Sequence, residues 1–249
     1  MTTLFTPPSL SEPSQLVNVL RQQGFAVLDA HSVSDLSTCP LASLLQLNPF
    51  WGDLPPDAFL KDGGRYRRRR HASFVVKNDE VTLVAHRAHW QPLEYNALHG
   101  GMERLFEPIL PTLLVQPVWR QLLLWLGDVC SELKGTKPWF VEAHQFRIDT
   151  TDGIGRPTPE GAHRDGVDLV AVFLVNREGV KGGETRVFEA AGPNGQRFTL
   201  SEPWSVLLLD DARVIHESTP IQPLQSGAQG GHRDTLVVTL RAGGFQEVG

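Results

Sequence analysis

The 249-residue chain predicts a mainly β protein with α, a C-terminal β core carrying a helical N-terminal part. Two observations carry that prediction. From Trp139 onward the segments WFVEAHQFRI, VDLVAVFLV, TRVFEA, WSVLLLD and TLVVTLRA are rich in apolar and β-branched residues. Clusters of Gly, Pro, Asn and Asp separate them, which is the pattern of a sandwich or barrel. Upstream, apolar residues recur at helical spacing. A boundary near LKGTKP divides a helical part, residues 1–135, from the β core, residues 136–249, and the two are expected to share one hydrophobic core.

Taken in order, residues 12–23 place Leu16, Val17 and Leu20 on one helical face, with Gly24 as the stop. FAVLDA follows as a short strand. Residues 35–47, 96–105 and 115–133 read as further helices, the last apolar enough for broad burial. No internal repeat or low-complexity tract interrupts the chain.

Composition narrows the function. An apolar fraction of 41% and a charged fraction of 20% are those of a soluble globular protein. No run approaches the ~20 apolar residues of a membrane span, so no membrane partner is expected. MTTLFTPPSL has neither a basic nor an apolar leader region, so no export signal is expected. Cys39 and Cys130, far apart in sequence, fit a reducing cytoplasm. A net charge of −5 argues against a dedicated nucleic-acid binder. Composition leaves the oligomeric state open, a homodimer among the options.

The chemistry concentrates in two loops. In PTPEGAHRDGVDLVAV, His163 and Asp165 stand two apart where a strand begins, and i, i+2 residues of an extended segment point the same way. Alone, such a pair is an ordinary surface turn. Downstream, LLLDDARVIHESTPI adds His216 after another apolar strand. Two imidazoles and one carboxylate on one face of an octahedron form the ligand set of non-haem Fe(II) oxygenases. Arg233 and Thr235 are again two apart, at the start of TLVVTLRA. A guanidinium there can grip a carboxylate bidentately, and the hydroxyl can add a hydrogen bond. A salt bridge from Arg233 to Asp234 is the structural alternative, and Arg241 on the same strand is the alternative anchor.

In this combination the chain resembles the Fe(II)/2-oxoglutarate dioxygenase superfamily. It is most similar to the bacterial 2OG-Fe dioxygenase family that includes L-isoleucine and related free amino-acid hydroxylases, and also a protein linked to biofilm stress and motility. The matching stretches are HQFRI, PEGAHRDGVD, GGET, DDARVIHESTPI and HRDTLVVTLR, with weaker agreement in GGRYRRRRHASF and YNALHGGMERLFEP. The resemblance implies a double-stranded β-helix, the jelly roll of cupin-like proteins. It implies Fe(II) on His163, Asp165 and His216, and the distal carboxylate of 2-oxoglutarate on Arg233 and Thr235. It also implies hydroxylation by O2 of a small molecule, a free aliphatic L-amino acid or close derivative, with 2-oxoglutarate decarboxylated to succinate and CO2. The intact Asp165 favours hydroxylation over halogenation. SGAQGG lengthens the connection between His216 and Arg233.

Gln145 and Arg147 share one face of WFVEAHQFRI, with His144 and Phe146 on the other. If the first face lines the mouth of the barrel, Gln145 contacts 2-oxoglutarate and Arg147 the substrate. Glu160, in a Pro-Gly loop, is a candidate for a substrate amino group. The run RYRRRR (65–70) reads first as a solvated strand face, with Arg68 or Arg70 reaching a substrate carboxylate as the functional option. His86 and His89 lack a nearby third ligand and read as surface histidines. Asn96 reads as a helix cap and the glycines of GGET as a turn. Two classes stand against the hydroxylase: a non-catalytic jelly roll that binds metal or 2-oxoglutarate in stress or biofilm regulation, and a cupin-like metal isomerase, which usually needs more histidines.

Overall fold

In the computed structural model, residues 7–8, 12–225 and 230–247 are described. Nearly all of the segment read for an export signal and most of SGAQGG fall outside them. Helix α1 (Leu16–Gln23) ends where expected, with Gly24 at φ 83° donating its N–H to Leu20 O. Strand β1 (Phe25–Leu28) stops because Asp29 caps α2 (Ala30–Ser37), accepting from Ser32 N at 2.7 Å. The single helix expected over 35–47 is instead split. Thr38 at φ 55° and Pro40 end α2, and α3 (Leu41–Leu45) restarts behind them.

Strands β2 (Arg67–Lys77) and β3 (Glu80–Leu83) follow. The helix expected over 96–105 does not form. Gly100 and Gly101 break the register, and Asn96 closes a turn by accepting from His99 N at 2.7 Å. The short α4 (Pro111–Leu114) leads into α5 (Pro117–Lys134), within two residues of its predicted bounds. The core strands are β4 (Trp139–Asp149), β5 (Leu169–Glu178), β6 (Val180–Gly182), β7 (Thr185–Glu189), β8 (Gly195–Phe198), β9 (Val206–Asp210), β10 (Val214–Ser218), β11 (Ile221–Pro223) and β12 (His232–Ala242).

A seven-stranded antiparallel sheet has the order β1-β9-β5-β12-β4-β2-β3; β10-β7-β8 form a second sheet, and β11 pairs β6. This is the expected jelly roll, and β1, β2 and β3 extend its major sheet on both sides. No helix among the described residues is long and apolar enough to cross a membrane.

Alternation divides the major sheet cleanly. Ala72, Phe74 and Val76 of β2, Val141 and Ala143 of β4, and Leu236, Val238 and Leu240 of β12 join one core with Trp119, Leu122 and Leu126 of α5. On the other face Val170 and Leu174 of β5 and Leu207 and Leu209 of β9 pack against Val187, Phe198 and Val214 of the smaller sheet. That second core closes one end of the sandwich. At the other end, the inward positions of β2, β4 and β12 carry Arg67, Arg69, Glu142, His144, Arg233 and Thr235, around a cavity of about 130 Å3.

The seat of α5 depends on a glycine. A Cβ on Gly127 would lie 2.8 Å from Cγ1 of Val76, so the helix backbone rests directly on β2. Gly127→Val should therefore destabilise the protein by about 1–3 kcal/mol through overpacking. Urea unfolding measures this, and an unchanged midpoint would contradict the close approach.

Candidate metal centre and its cavity

His163 lies in the loop before β5, and His216 sits on the inward face of β10, two residues from the core Val214. The two backbones exchange hydrogen bonds, His163 N to His216 O at 3.0 Å and His216 N to His163 O at 2.9 Å. This single bridge fastens the loop to the strand and brings the imidazoles to a centroid distance of 4.7 Å. Asp165 completes the set. Its Oδ1 is 3.8 Å from His163 Nε2, and its Oδ2 is 3.7 Å from His216 Nε2. One potential ligand atom from each of the three lies within 4.8 Å of the others. His163 Nδ1 is 2.9 Å from Gly161 O. A carbonyl only accepts, so Nδ1 carries the proton and Nε2 presents its lone pair toward Asp165.

The loop is held by a residue to which the sequence reading assigned no role. Fully buried Asp211 accepts from the backbone N–H groups of Asp165, Gly166 and Val167 at 2.9, 2.8 and 3.1 Å. Gln246 donates to the carbonyls of Asp165 and Gly166 at 3.0 and 2.9 Å. Burial, with Glu160 nearby, raises the Asp165 carboxyl above its ordinary range; burial and then Asp165 raise Asp211. Burial and His163 push the His216 imidazole down to about 3. Crowded carboxylates beside a neutral imidazole form a donor set that suits a divalent cation.

Across the cavity, Arg233 is 3% exposed, and its Nε and Nη2 have no hydrogen-bond partner among the described residues. Burial, and Arg177 beside it, push its pKa down to about 10, so it keeps its charge at neutral pH. Asp234 does not neutralise it. Arg147, directly opposite Asp234 in the β4–β12 register, takes that carboxylate through two bonds of 2.8 and 2.7 Å on the other face of the sheet. Thr235 lines the cavity beside Arg233. Arg177 is tied to Gly182 O at 2.7 Å, so the GGET turn also steadies the second guanidinium. Arg241 is occupied elsewhere, donating to Gly244 O at 2.7 Å. A buried cation with unused donors suits a dicarboxylate such as 2-oxoglutarate.

Several expected contacts are redistributed. On β4 the even face, Glu142, His144 and Phe146, lines the cavity. Gln145 and Arg147 point away: Gln145 donates to Phe50 O at 3.2 Å, and Arg147 holds Asp234. Arg70 also points away, donating to Pro108 O at 3.1 Å, while Arg67 and Arg69 turn inward. The apolar alternation of Ala72, Phe74 and Val76 carries the signal for that parity, since it sends the odd residues of β2 to the opposite face. Glu160 does line the cavity, with a buried Oε2 that has no partner among the described residues.

His86 is exposed, as expected, but His89 is buried. It joins His71, Glu142 and His144, whose potential ligand atoms also lie within 4.8 Å of one another. The hydrogen bonds account for this cluster without an ion. His71 Nε2 and His89 Nδ1 stand 3.2 and 3.1 Å from the two oxygens of Glu142. His144 Nδ1 accepts from Arg69 Nη2 at 2.6 Å, so its Nε2 carries the proton and has no lone pair to give.

The profile described as 2OG-Fe dioxygenase matches residues 48–239. Among solved structures, the chain is similar to a bsmA homolog from Methylobium petroleophilum PM1. The two are 52% identical over 99% of each chain, with a TM-score of 0.91. It is similar in fold to IDO from Bacillus thuringiensis, at 19% identity over 95% of this chain and 100% of that one, with a TM-score of 0.75. The Fe(II)/(alpha)ketoglutarate-dependent dioxygenase TqaL shares the fold at 18% identity, covering 93% of this chain and 87% of its own, with a TM-score of 0.70. No curated protein matches the chain.

Two expectations follow from this geometry. Asp211→Ala strands three buried amides and should weaken Co(II) binding about 10–100-fold, the usual effect of losing a residue that orients a ligand; unchanged affinity by optical titration would remove Asp211 from that role. Burial pushes His71 down to about 4, so on acidification the unfolded chain takes up a proton, near pH 6.5, that the folded chain refuses. Wild type should lose about 2–3 kcal/mol between pH 7 and 4.5 that His71→Gln does not lose, measured by urea unfolding. Parallel pH profiles for the two proteins would refute it.

Proposed function

The chain belongs to the 2OG-Fe dioxygenase family, and on that premise we propose that it hydroxylates a free aliphatic L-amino acid or close derivative. It is an oxidoreductase whose family uses Fe(II) and 2-oxoglutarate. The observation that carries the oxygenase reading is the pairing, in one cavity, of the His163–Asp165–His216 cluster with a buried Arg233 that has unused donors among the described residues.

In this reading His163, Asp165 and His216 hold the iron. Gly161 O fixes the His163 tautomer, and Asp211 and Gln246 keep Asp165 in place. Arg233 takes the distal carboxylate of 2-oxoglutarate, with the Thr235 hydroxyl beside it. Fe(II) and 2-oxoglutarate, when bound, supply oxidation of a C–H bond by O2 coupled to formation of succinate and CO2. The chain's own work is to orient the substrate and exclude water. Val172 and Val237 offer an aliphatic wall, and the unpartnered Glu160 Oε2 is placed to accept from a substrate ammonium. Arg147 acts on Arg233 alone, by keeping Asp234 occupied. The buried free thiols of Cys39 and Cys130 support a cytoplasmic setting.

Anaerobically iron-loaded protein should form succinate from 2-oxoglutarate, with a +16 product from at least one free aliphatic amino acid. Asp165→Ala should lower this more than about 100-fold, beyond what loss of a mere orienting residue does. Arg233→Gln should raise the KM for 2-oxoglutarate about 10–100-fold, the weight of a charged hydrogen bond. Turnover surviving Asp165→Ala would dismiss this ligand set. Tight binding of iron and 2-oxoglutarate with no product across the panel would favour the non-catalytic reading.

A further inference from the structure

Three guanidiniums line the wall of the cavity formed by β2 and the segment before α4: Arg67, Arg69 and Arg104. The described residues leave their donors only partly paired. Asp57 accepts from Arg67 Nε at 2.7 Å and lies 3.7 Å from Arg69 Nη1. Glu142 is committed to His71, His89 and Arg87. Arg104 has no carboxylate within ion-pair distance among the described residues; its Nη2 donates only to the neutral Gln91 Oε1 at 3.0 Å. Among the described residues, each of the three leaves a buried nitrogen without a partner: Arg67 Nη2, Arg69 Nε and Arg104 Nε. Stranded charged donors of this kind are costly unless a ligand takes them up.

The wall is rigid and close to the metal centre. Arg69 is clamped with its guanidinium carbon 3.6 Å from the Phe106 ring centroid and 4.3 Å from that of Phe146; with Nη2 on His144 and Nη1 beside Asp57, its Nε is the donor left over among the described residues. Arg104 is fixed by backbone bonds to His89 at 2.9 and 3.0 Å. Gln91 then joins the two regions, accepting from Arg104 and donating to Asp165 Oδ1 at 3.3 Å. One side-chain amide separates Arg104 from the iron-ligand candidate. The Arg233 pole is distinct, because strand β4 lies between β2 and β12 and Ile148 stands between Arg67 and Arg233 in register.

We propose that Arg69 and Arg104 form the subsite for a carboxylate of the substrate itself, so that the enzyme acts on free carboxylic acids and rejects their amides. This rests on the hydroxylase reading above and adds the group it selects. A monoanion fits better than a phosphate dianion, since Asp57, Glu142 and Glu160 stand around the same space. Burial and then Arg67 push Arg104 down to about 10, and an incoming carboxylate would relieve that. With Glu160 lining the same cavity, the pocket offers both halves of a zwitterion a partner.

The test uses the anaerobic full-length protein loaded with Mn(II) and saturating 2-oxoglutarate, titrated with free L-amino acids and their carboxamides and read by thermal shift. The best-binding acid should bind about 10–100-fold more tightly than its amide. Arg104→Gln should reduce that preference to less than about threefold, and Arg104→Lys should restore part of it. Amides binding as well as acids, an undiminished preference in Arg104→Gln, or no acid binding at 10 mM would each overturn the proposal. If Arg104→Gln does not fold, the acid–amide comparison on the wild type decides alone. Acid-selective binding without succinate formation would count against the hydroxylase reading and leave this subsite standing.

Discussion

A sheet that is hydrocarbon on one face and ionic on the other can persist only if both faces are covered. Strands β2, β4 and β12 are of that kind, with Phe74, Val141 and Val238 against α5 and Arg69, Glu142 and Arg233 turned the other way. Buried ionic groups demand partners, and the smaller sheet with the 157–168 loop supplies the roof. The bridge between His163 and His216 is where that roof is pinned. The cavity therefore follows from the alternation of three strands and is not a gap left by imperfect packing.

Strand alternation also keeps the charges apart. Asp234 is next to Arg233 in sequence, yet it emerges on the opposite face, where Arg147 takes it. Arg233 is left charged and available. The same device separates Arg68 and Arg70, which face outward, from Arg67 and Arg69, which face the cavity. The polar interior thus has a carboxylate-rich centre at Asp165, a guanidinium pole at Arg233 and a second at Arg69 and Arg104. Gln91 links the first to the last.

How much was legible in the sequence follows the range of the interactions. His163 with Asp165, and Arg233 with Thr235, lie two apart on extended segments, and their shared facing follows from local backbone geometry. The bounds of α5 and, to within about three residues, of β4, β5, β7, β9 and β12 were legible for the same reason, whereas the short β6, β8, β10 and β11 were not. The helix expected over 96–105 failed because apolar spacing was weighed above Gly100 and Gly101. Gln145, Arg147 and Arg70 were candidates for the cavity because the inward face of their strands was left open, although parity counted from Val141 and Phe74 sends them outward. His89 read as a surface residue because its partners, His71, Glu142 and His144, come from strands that are remote in sequence.

By itself, the sequence determined the secondary-structure period, the positions of the ligand-type residues and the family they resemble, because each of these is written in near neighbours. Only the tertiary structure decided which strand faces look inward, which buried cations lack a partner and how Asp211 and Gln246 hold the Asp165 loop. Those outcomes depend on which remote backbones meet, and hydrogen-bond partners separated by tens of residues leave no periodic trace along the chain.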